Sequence, residues 1–281
     1  MLHRKILLLG LLIFAFSYKS CFAQSGLSGD FANSLKAKNF ISLMVKQHKF
    51  NRGELNKLFS KVKKRQDILE KYQKPKKNIA EYKKTFDWYQ GIFITEENIK
   101  KGKKFMQKHK KHLNRAEKKY GVPAEYIAGI IGIETKFGKH LGKDRVIDAL
   151  ATIAFYFPKR SKYFTSELKN FLLLTRSQKI KATKPKGSYA GAMGYGQFMP
   201  SSYRTYAVDF NNDGKKDLWN EIDAIGSVAN YLKKKGWKWG QNAMTGKDGN
   251  GNKLSNFKII KRYNNSDRYA KVVHILAQKI K

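Results

Sequence analysis

The sequence predicts a mainly α-helical protein, and three features carry that expectation. Apolar residues recur at intervals of three and four along most of the chain. Capping residues and glycine stops bracket those stretches, and segments with the two-residue alternation of a strand are few. The 281 residues are enough for one large domain or two small ones, and the 41% that are hydrophobic supply a core.

Residues 1–23 read as a signal peptide. Arg4 and Lys5 precede Ile6–Phe16, an apolar run interrupted by a glycine, and Cys21 and Ala23 are the small residues that signal peptidase requires before its cut. The run is too short to span a bilayer. The expected product is exported to the periplasm or cell envelope, starts at Gln24 and holds no cysteine. The alternative is lipidation of Cys21, giving an outer-membrane lipoprotein. Tyr18 stands where that signal expects leucine.

A helical region over 24–115 follows a loose leader. Lys36–Phe50 and Gly53–Lys63 are helix candidates; in the second, Leu55, Leu58, Phe59 and Val62 share a face, and Asn51 is placed to cap it. Lys71–Ala80, lysine-rich with Pro75, reads as a connector. Thr95 caps a long helix with Glu96 and Glu97 in its first turn; Ile99, Met106, Leu113 and Tyr120 mark its buried face and Gly121 ends it. A central region over 116–236 continues with a helix from Pro123, another at Ile147–Phe157 closed by Pro158, and a third at Ser161–Ser177. The glycine-rich loop Lys184–Pro200 and a helix at Ile222–Lys235 complete it. Residues 237–261 form a short polar segment with room for a hairpin. Residues 262–281 end in a helix, Tyr269–Lys279, expected to pack back on the helical region.

With 58 Lys+Arg against 21 Asp+Glu, the formal charge is +37, a field that draws polyanions. Nucleic acid and an anionic cell envelope are the two partner classes this allows. The signal peptide and the clustering of aromatics away from basic residues favour the envelope and argue against nucleic acid. A monomer is expected.

One carboxylate breaks a pattern. In the helix after Pro123 the apolar stripe runs Ile127, Ile130, Ile131, and its next position is Glu134. A carboxyl facing the core has its pKa raised, because burial disfavours the charged form, and a raised pKa keeps a general acid protonated near neutral pH. A merely structural Glu paired with Arg145 or a lysine fits the same pattern.

The neighbourhood of Glu134 narrows this. The run YGVPAEYIAGIIGIETKFG over Tyr120–Gly138, IDALAT over Ile147–Thr152, GSYAGAMGYGQFMPSSY over Gly187–Tyr203, DAIGSVANY over Asp223–Tyr231 and RYNN over Arg262–Asn265 together resemble the B-type lytic murein transglycosylases. The likeness covers roughly Phe86–Lys281 and is weaker over Gln24–Thr85. It implies a lysozyme-like catalytic core over 116–236 and peptidoglycan glycan strands as substrate. Glu134 would first protonate the glycosidic oxygen between N-acetylmuramic acid and N-acetylglucosamine. It would then act as base on the sugar's 6-hydroxyl, closing a 1,6-anhydro ring. Ordinary glycosidases need a second carboxylate; here the substrate's own hydroxyl is the nucleophile. The resemblance assigns Ser188, Tyr189, Met193, Gln197, Phe198, Tyr231, Tyr263, Asn264 and Tyr269 to the sugar groove. Asp144, Asp148 and Glu167 remain candidates for a second carboxylate, which a muramidase would need. A calcium-stabilised wall-binding module without activity is the other alternative.

Asp209–Asp217 opens like an EF-hand loop, with oxygen side chains at positions 1, 3, 5 and 9 and glycine at 6. Asn220 replaces the usual closing Glu, and by the resemblance Asp223 closes the loop instead. The expected ligands of a structural calcium, or of sodium in its place, are Asp209, Asn211, Asp213, the carbonyl of Lys215, and Asp223, within the EF-hand-like loop 209–223. No organic cofactor is expected. The segment Trp237–Lys261 is shorter than in many members of the family.

Overall fold

The structure, a computed structural model, describes residues 26–73, 85–241, 243 and 255–281. The expected signal peptide with Cys21 lies outside the described residues. So do most of the 71–80 connector and most of the segment where a hairpin was expected.

The chain folds into helices around one continuous apolar core. The N-terminal helices α1 (Leu35–His48), α2 (Arg52–Phe59) and α3 (Gln66–Gln73) include the two expected there, capped by Ser34 and Asn51, whose side chains accept the amides of Ala37 and Glu54. α1 and α3 pack on α8 (Val146–Tyr156). α4 (Phe86–Phe93) packs on the C-terminal helix α13 (Asp267–Ile280).

The long helix expected from Thr95 is two helices, α5 (Glu96–Lys108) and α6 (Lys110–Tyr120), parted at His109. His109 leaves helical geometry, with φ −106° and ψ 17°, and its buried ring lies on Phe105, 4.6 Å between centroids. The break turns the buried face. Phe105, Leu113, Ala116 and Tyr120 are buried, whereas Ile99 and Met106 are only half-buried.

Helix α7 (Ala124–Thr135) is the central element, buried on nearly every side and flanked by α5, α6, α11 (Glu221–Lys234) and α13. Gly129 sets its distance from α13: a Cβ there would stand 3.2 Å from the Val273 carbonyl oxygen. α9 (Ser161–Ser177) and α10 (Pro200–Tyr206) extend the pile beyond α8. The tail of the expected polar segment is a helix instead, α12 (Ser255–Tyr263), because Phe257, Ile259 and Ile260 find a core to enter. Two short strands, β1 (Asp144–Arg145) and β2 (Lys186–Gly187), pair antiparallel, and single bridges Gly187–Met193 and Met193–Phe198 carry that ladder into the glycine-rich loop.

The N-terminal helices are joined to α8 by a polar seam. Asp148, buried, accepts the Lys63 amide at 3.0 Å and both Nε and Nη2 of Arg145 at 2.7 and 2.8 Å. Thr152 accepts the Arg65 amide, the Arg65 guanidinium pairs with Asp144 at 2.8 Å, and Arg145 reaches the Lys61 carbonyl. Removing one partner of a buried ion pair leaves the other charged and unpaired. Asp148→Ala is therefore expected to cost about 3 kcal/mol of stability, read from urea unfolding, whereas exposed Lys63→Ala should stay near wild type because only the main chain of that residue enters the seam.

Candidate active site

Glu134 sits one residue before the end of α7, half-buried, with a phenol pointed at it. The Tyr269 hydroxyl donates to its Oε1 at 2.7 Å. The surrounding protein pushes the carboxyl up to about 7, and the bond from Tyr269 pulls the other way by favouring the charged form. Tyr263 stacks against Tyr269, centroids 6.4 Å apart and planes 9° from parallel. Burial and the nearby Glu134 charge raise both phenols well above their ordinary value, so they stay neutral donors. Tyr89 on α4 also lies within electrostatic reach of Glu134, and burial leads the rise in its pKa.

Beyond Glu134 the chain turns back through three left-handed residues, Lys136, Phe137 and Gly138. The Thr135 hydroxyl lies within hydrogen-bond reach of the Ile131 and Tyr195 carbonyls and accepts the Gly138 amide. Gly138, at φ +91°, presses on the Tyr195 ring; a Cβ there would come within 2.4 Å of it.

The structure draws Phe198, Tyr231, Tyr263 and Tyr269 into one aromatic cluster beside Glu134, with Phe198 5.9 Å and Tyr231 4.7 Å from the Tyr263 ring. Met193 and Phe198 are fully buried, and Tyr231, expected in the groove by resemblance, is buried too, its hydroxyl donating to the Arg262 carbonyl. Ser188 closes its own turn by accepting the amides of Ala190 and Ala192, while the half-buried Gln197 donates to Gly194. Tyr189 is exposed and stands 5.9 Å from Tyr72 of α3, away from the cluster, and Asn264 is exposed between α12 and α13.

The other candidate carboxylates are engaged elsewhere. Asp144 and Asp148 belong to the seam, and both oxygens of Glu167 accept from Ser201, at 2.9 Å from its amide and 2.7 Å from its hydroxyl. The groups that set the Glu134 pKa are the surrounding protein and Tyr269, with no second carboxylate among them.

Residues 32–247 match the transglycosylase SLT domain family. The chain belongs to that family. It is 47% identical over 216 residues to membrane-bound lytic murein transglycosylase B of Escherichia coli strain K12; the match covers 75% of this chain and 60% of that protein's length. The fold is that of the lysozyme-like transglycosylases. The Escherichia coli lytic transglycosylase Slt35, solved in complex with calcium, superposes with a TM-score of 0.83 at 38% identity, covering 92% of this chain and 97% of that one. SltB3 of Pseudomonas aeruginosa, solved in complex with NAG-anhNAM-pentapeptide, superposes with a TM-score of 0.77 at 26% identity, covering 87% of this chain and 78% of that one.

The 209–223 segment follows α10 and runs into the first turn of α11. Asp209 accepts the amides of Asp213 and Gly214, Asp213 that of Lys215, and the buried Asp223 those of Phe210, Asn211 and Asp217. Among the described residues no three acidic, His or Cys groups converge as a metal cluster. The donors are nevertheless all hard oxygens, two of the five being Asn211 and a carbonyl. A carboxylate accepting two or three amides keeps at least one lone-pair direction for a cation. Asn220 caps α11, accepting the amides of Ile222 and Asp223.

Sequence reasoning missed Tyr89. Helix α4 was not foreseen, although Thr85 caps it by accepting the Trp88 amide and its aromatic residues are plain in the sequence.

Glu134 has a folded pKa above its unfolded value. Its contribution to stability is therefore complete below about 4.5 and is lost as pH rises through about 7. Glu134→Gln has no charge to bury, so from pH 4 to pH 8 it should gain on the order of 3 kcal/mol relative to wild type, read as a melting-temperature difference that opens with pH. Tyr269→Phe removes the bond that lowers the Glu134 pKa and should move its carboxyl titration, followed by 13C NMR, above about 7.

Proposed function

We propose that this chain is a lytic transglycosylase of peptidoglycan, with Glu134 its one acid/base. The observation that carries this is a carboxyl that takes the Tyr269 hydroxyl at 2.7 Å and is pushed up to about 7, while the other candidate carboxylates are engaged elsewhere. A group at that value exists in both forms near neutral pH, so it can give a proton and then take one. Protonated Glu134 delivers its proton to the oxygen between N-acetylmuramic acid and N-acetylglucosamine. The C1–O bond breaks and N-acetylglucosamine leaves with its 4-hydroxyl. The carboxylate then removes the proton of the muramic acid 6-hydroxyl as that oxygen bonds to C1, which closes the 1,6-anhydro ring and reprotonates Glu134. Tyr269 donates to the carboxylate between the two steps.

In this reading Ser188, Tyr189, Met193, Gln197, Phe198, Tyr231, Tyr263, Asn264 and Tyr269 shape the groove, the buried ones as its frame. Tyr89 joins them from α4. The chain is exported and works as a monomer in the envelope, where its positive charge holds it to an anionic wall. Asp209, Asn211, Asp213, the Lys215 carbonyl and Asp223 would hold calcium, or sodium in its place, which fixes the loop ahead of α11 and takes no part in the reaction.

Digestion of purified peptidoglycan tests the reaction. Wild type should release anhydro-muropeptides and Glu134→Gln at least 100-fold fewer, an estimate of about 3 kcal/mol for the lost acid. Reducing-end muramic acid among the products would establish a hydrolase, and an active Glu134→Gln would remove Glu134 from the mechanism. For the loop, excess calcium should raise the melting temperature of wild type but not of the Asp209→Ala, Asp213→Ala double variant.

A further inference from the structure

We propose that Tyr195, held by Glu221, is a positioning residue for Glu134. The inference rests on the reading of Glu134 as the acid/base and adds a device that keeps it in place.

Tyr195 touches the Glu134 turn twice. Its carbonyl lies 3.2 Å from the hydroxyl of Thr135, the next residue after the acid, and its ring is the surface against which Gly138 is pressed. Three left-handed residues in succession are a strained way to end a helix, and two of them carry side chains. Such a turn persists only where the surroundings hold it, and Tyr195 is the residue that meets it at both ends. Tyr195 is itself fixed at two points. Its amide donates to the Leu218 carbonyl at 2.9 Å, and its hydroxyl donates to Glu221 Oε1 at 3.2 Å.

Glu221 is anchored in turn from a third direction. Its other oxygen takes the Lys108 ammonium and lies 2.9 Å from Nε2 of the buried His109 ring, whose pKa burial lowers. The chain leaves helical geometry between α5 and α6 at this residue, whose ring meets Glu221. Glu221 thus ties α5, α6 and the glycine-rich loop to one carboxylate at the first residue of α11. One residue after Tyr195, the Gly196 carbonyl accepts the Tyr263 hydroxyl at 2.6 Å, and Tyr263 stacks on the phenol that donates to Glu134. The same short stretch therefore steadies the acid's backbone on one side and its hydrogen-bond donor on the other.

The test uses the mature chain with Tyr195→Phe, Glu221→Ala and Glu221→Gln, all in one calcium-containing buffer. Measured are kcat and KM on purified peptidoglycan, the melting temperature, and the Glu134 carboxyl titration by 13C NMR, assigned by its loss in Glu134→Gln. Tyr195→Phe keeps the ring and should fold. It and Glu221→Ala should lower kcat roughly tenfold with KM within about twofold, because a displaced acid costs rate more than binding. Both should move the Glu134 titration down toward the ordinary carboxyl range as water reaches a loosened turn. Glu221→Gln still accepts the Tyr195 hydroxyl and should retain most of kcat. Wild-type kcat and an unmoved Glu134 titration in Tyr195→Phe would overturn the proposal, as would Glu221→Gln falling as far as Glu221→Ala. A wild type that releases no anhydro product refutes the proposed reaction, while the titration still decides whether Tyr195 places Glu134.

Discussion

Removing a carboxyl from water costs far more free energy when it is charged than when it is protonated, and the packing around Glu134 is arranged around that difference. Apolar neighbours on α7 and the packed aromatic residues beside it supply the burial, and one phenol offsets part of the penalty. The remaining requirements follow. α7 must be rigid, hence its burial on nearly every side and its close passage past α13 at Gly129. The turn after Glu134 must be sharp, and the loop that grips it needs an anchor of its own on α11. Other acidic groups must be kept busy, since a second carboxylate beside Glu134 would raise its pKa further.

The residues that were legible in the sequence are those whose local pattern and tertiary role agree. α7 has an apolar stripe, a proline at its start and a carboxylate where the stripe predicts a hydrocarbon, so both helix and acid could be read. α9 and α11 are bounded within a residue of expectation because their apolar faces and ends coincide. The illegible parts are those in which a distant partner decides. Nothing local in α5 marks a break at His109, whose ring meets Phe105 and, from α11, Glu221 only in the fold. Helix α12 looked polar because its apolar content is three residues long, enough only where a core is waiting. α4 has aromatic residues on several sides and none fully buried, which blurs the periodicity that would reveal a helix.

The groove assignments divide in the same way. Residue types that stack on sugars or hydrogen-bond to them also build tight loops, and sequence does not separate the two uses. Ser188, Gln197 and Tyr231 spend hydrogen bonds on the protein's own main chain; the first two fix the shape of the glycine-rich loop and Tyr231 ties α11 to α12. Tyr269, on α13, is buried and spends its hydroxyl on Glu134.

The seam between the N-terminal helices and α8 recognises backbone amides and carbonyls at 61, 63 and 65. Of the side chains over this stretch, only Arg65 enters a buried pairing. A joint of this kind reads the path of the chain more than its letters. Lys61 lends it only a carbonyl, and the ammonium groups of Lys63 and Lys64 go to Asp30 and the Tyr156 ring, so surface charge along this stretch can change while the docking stays the same.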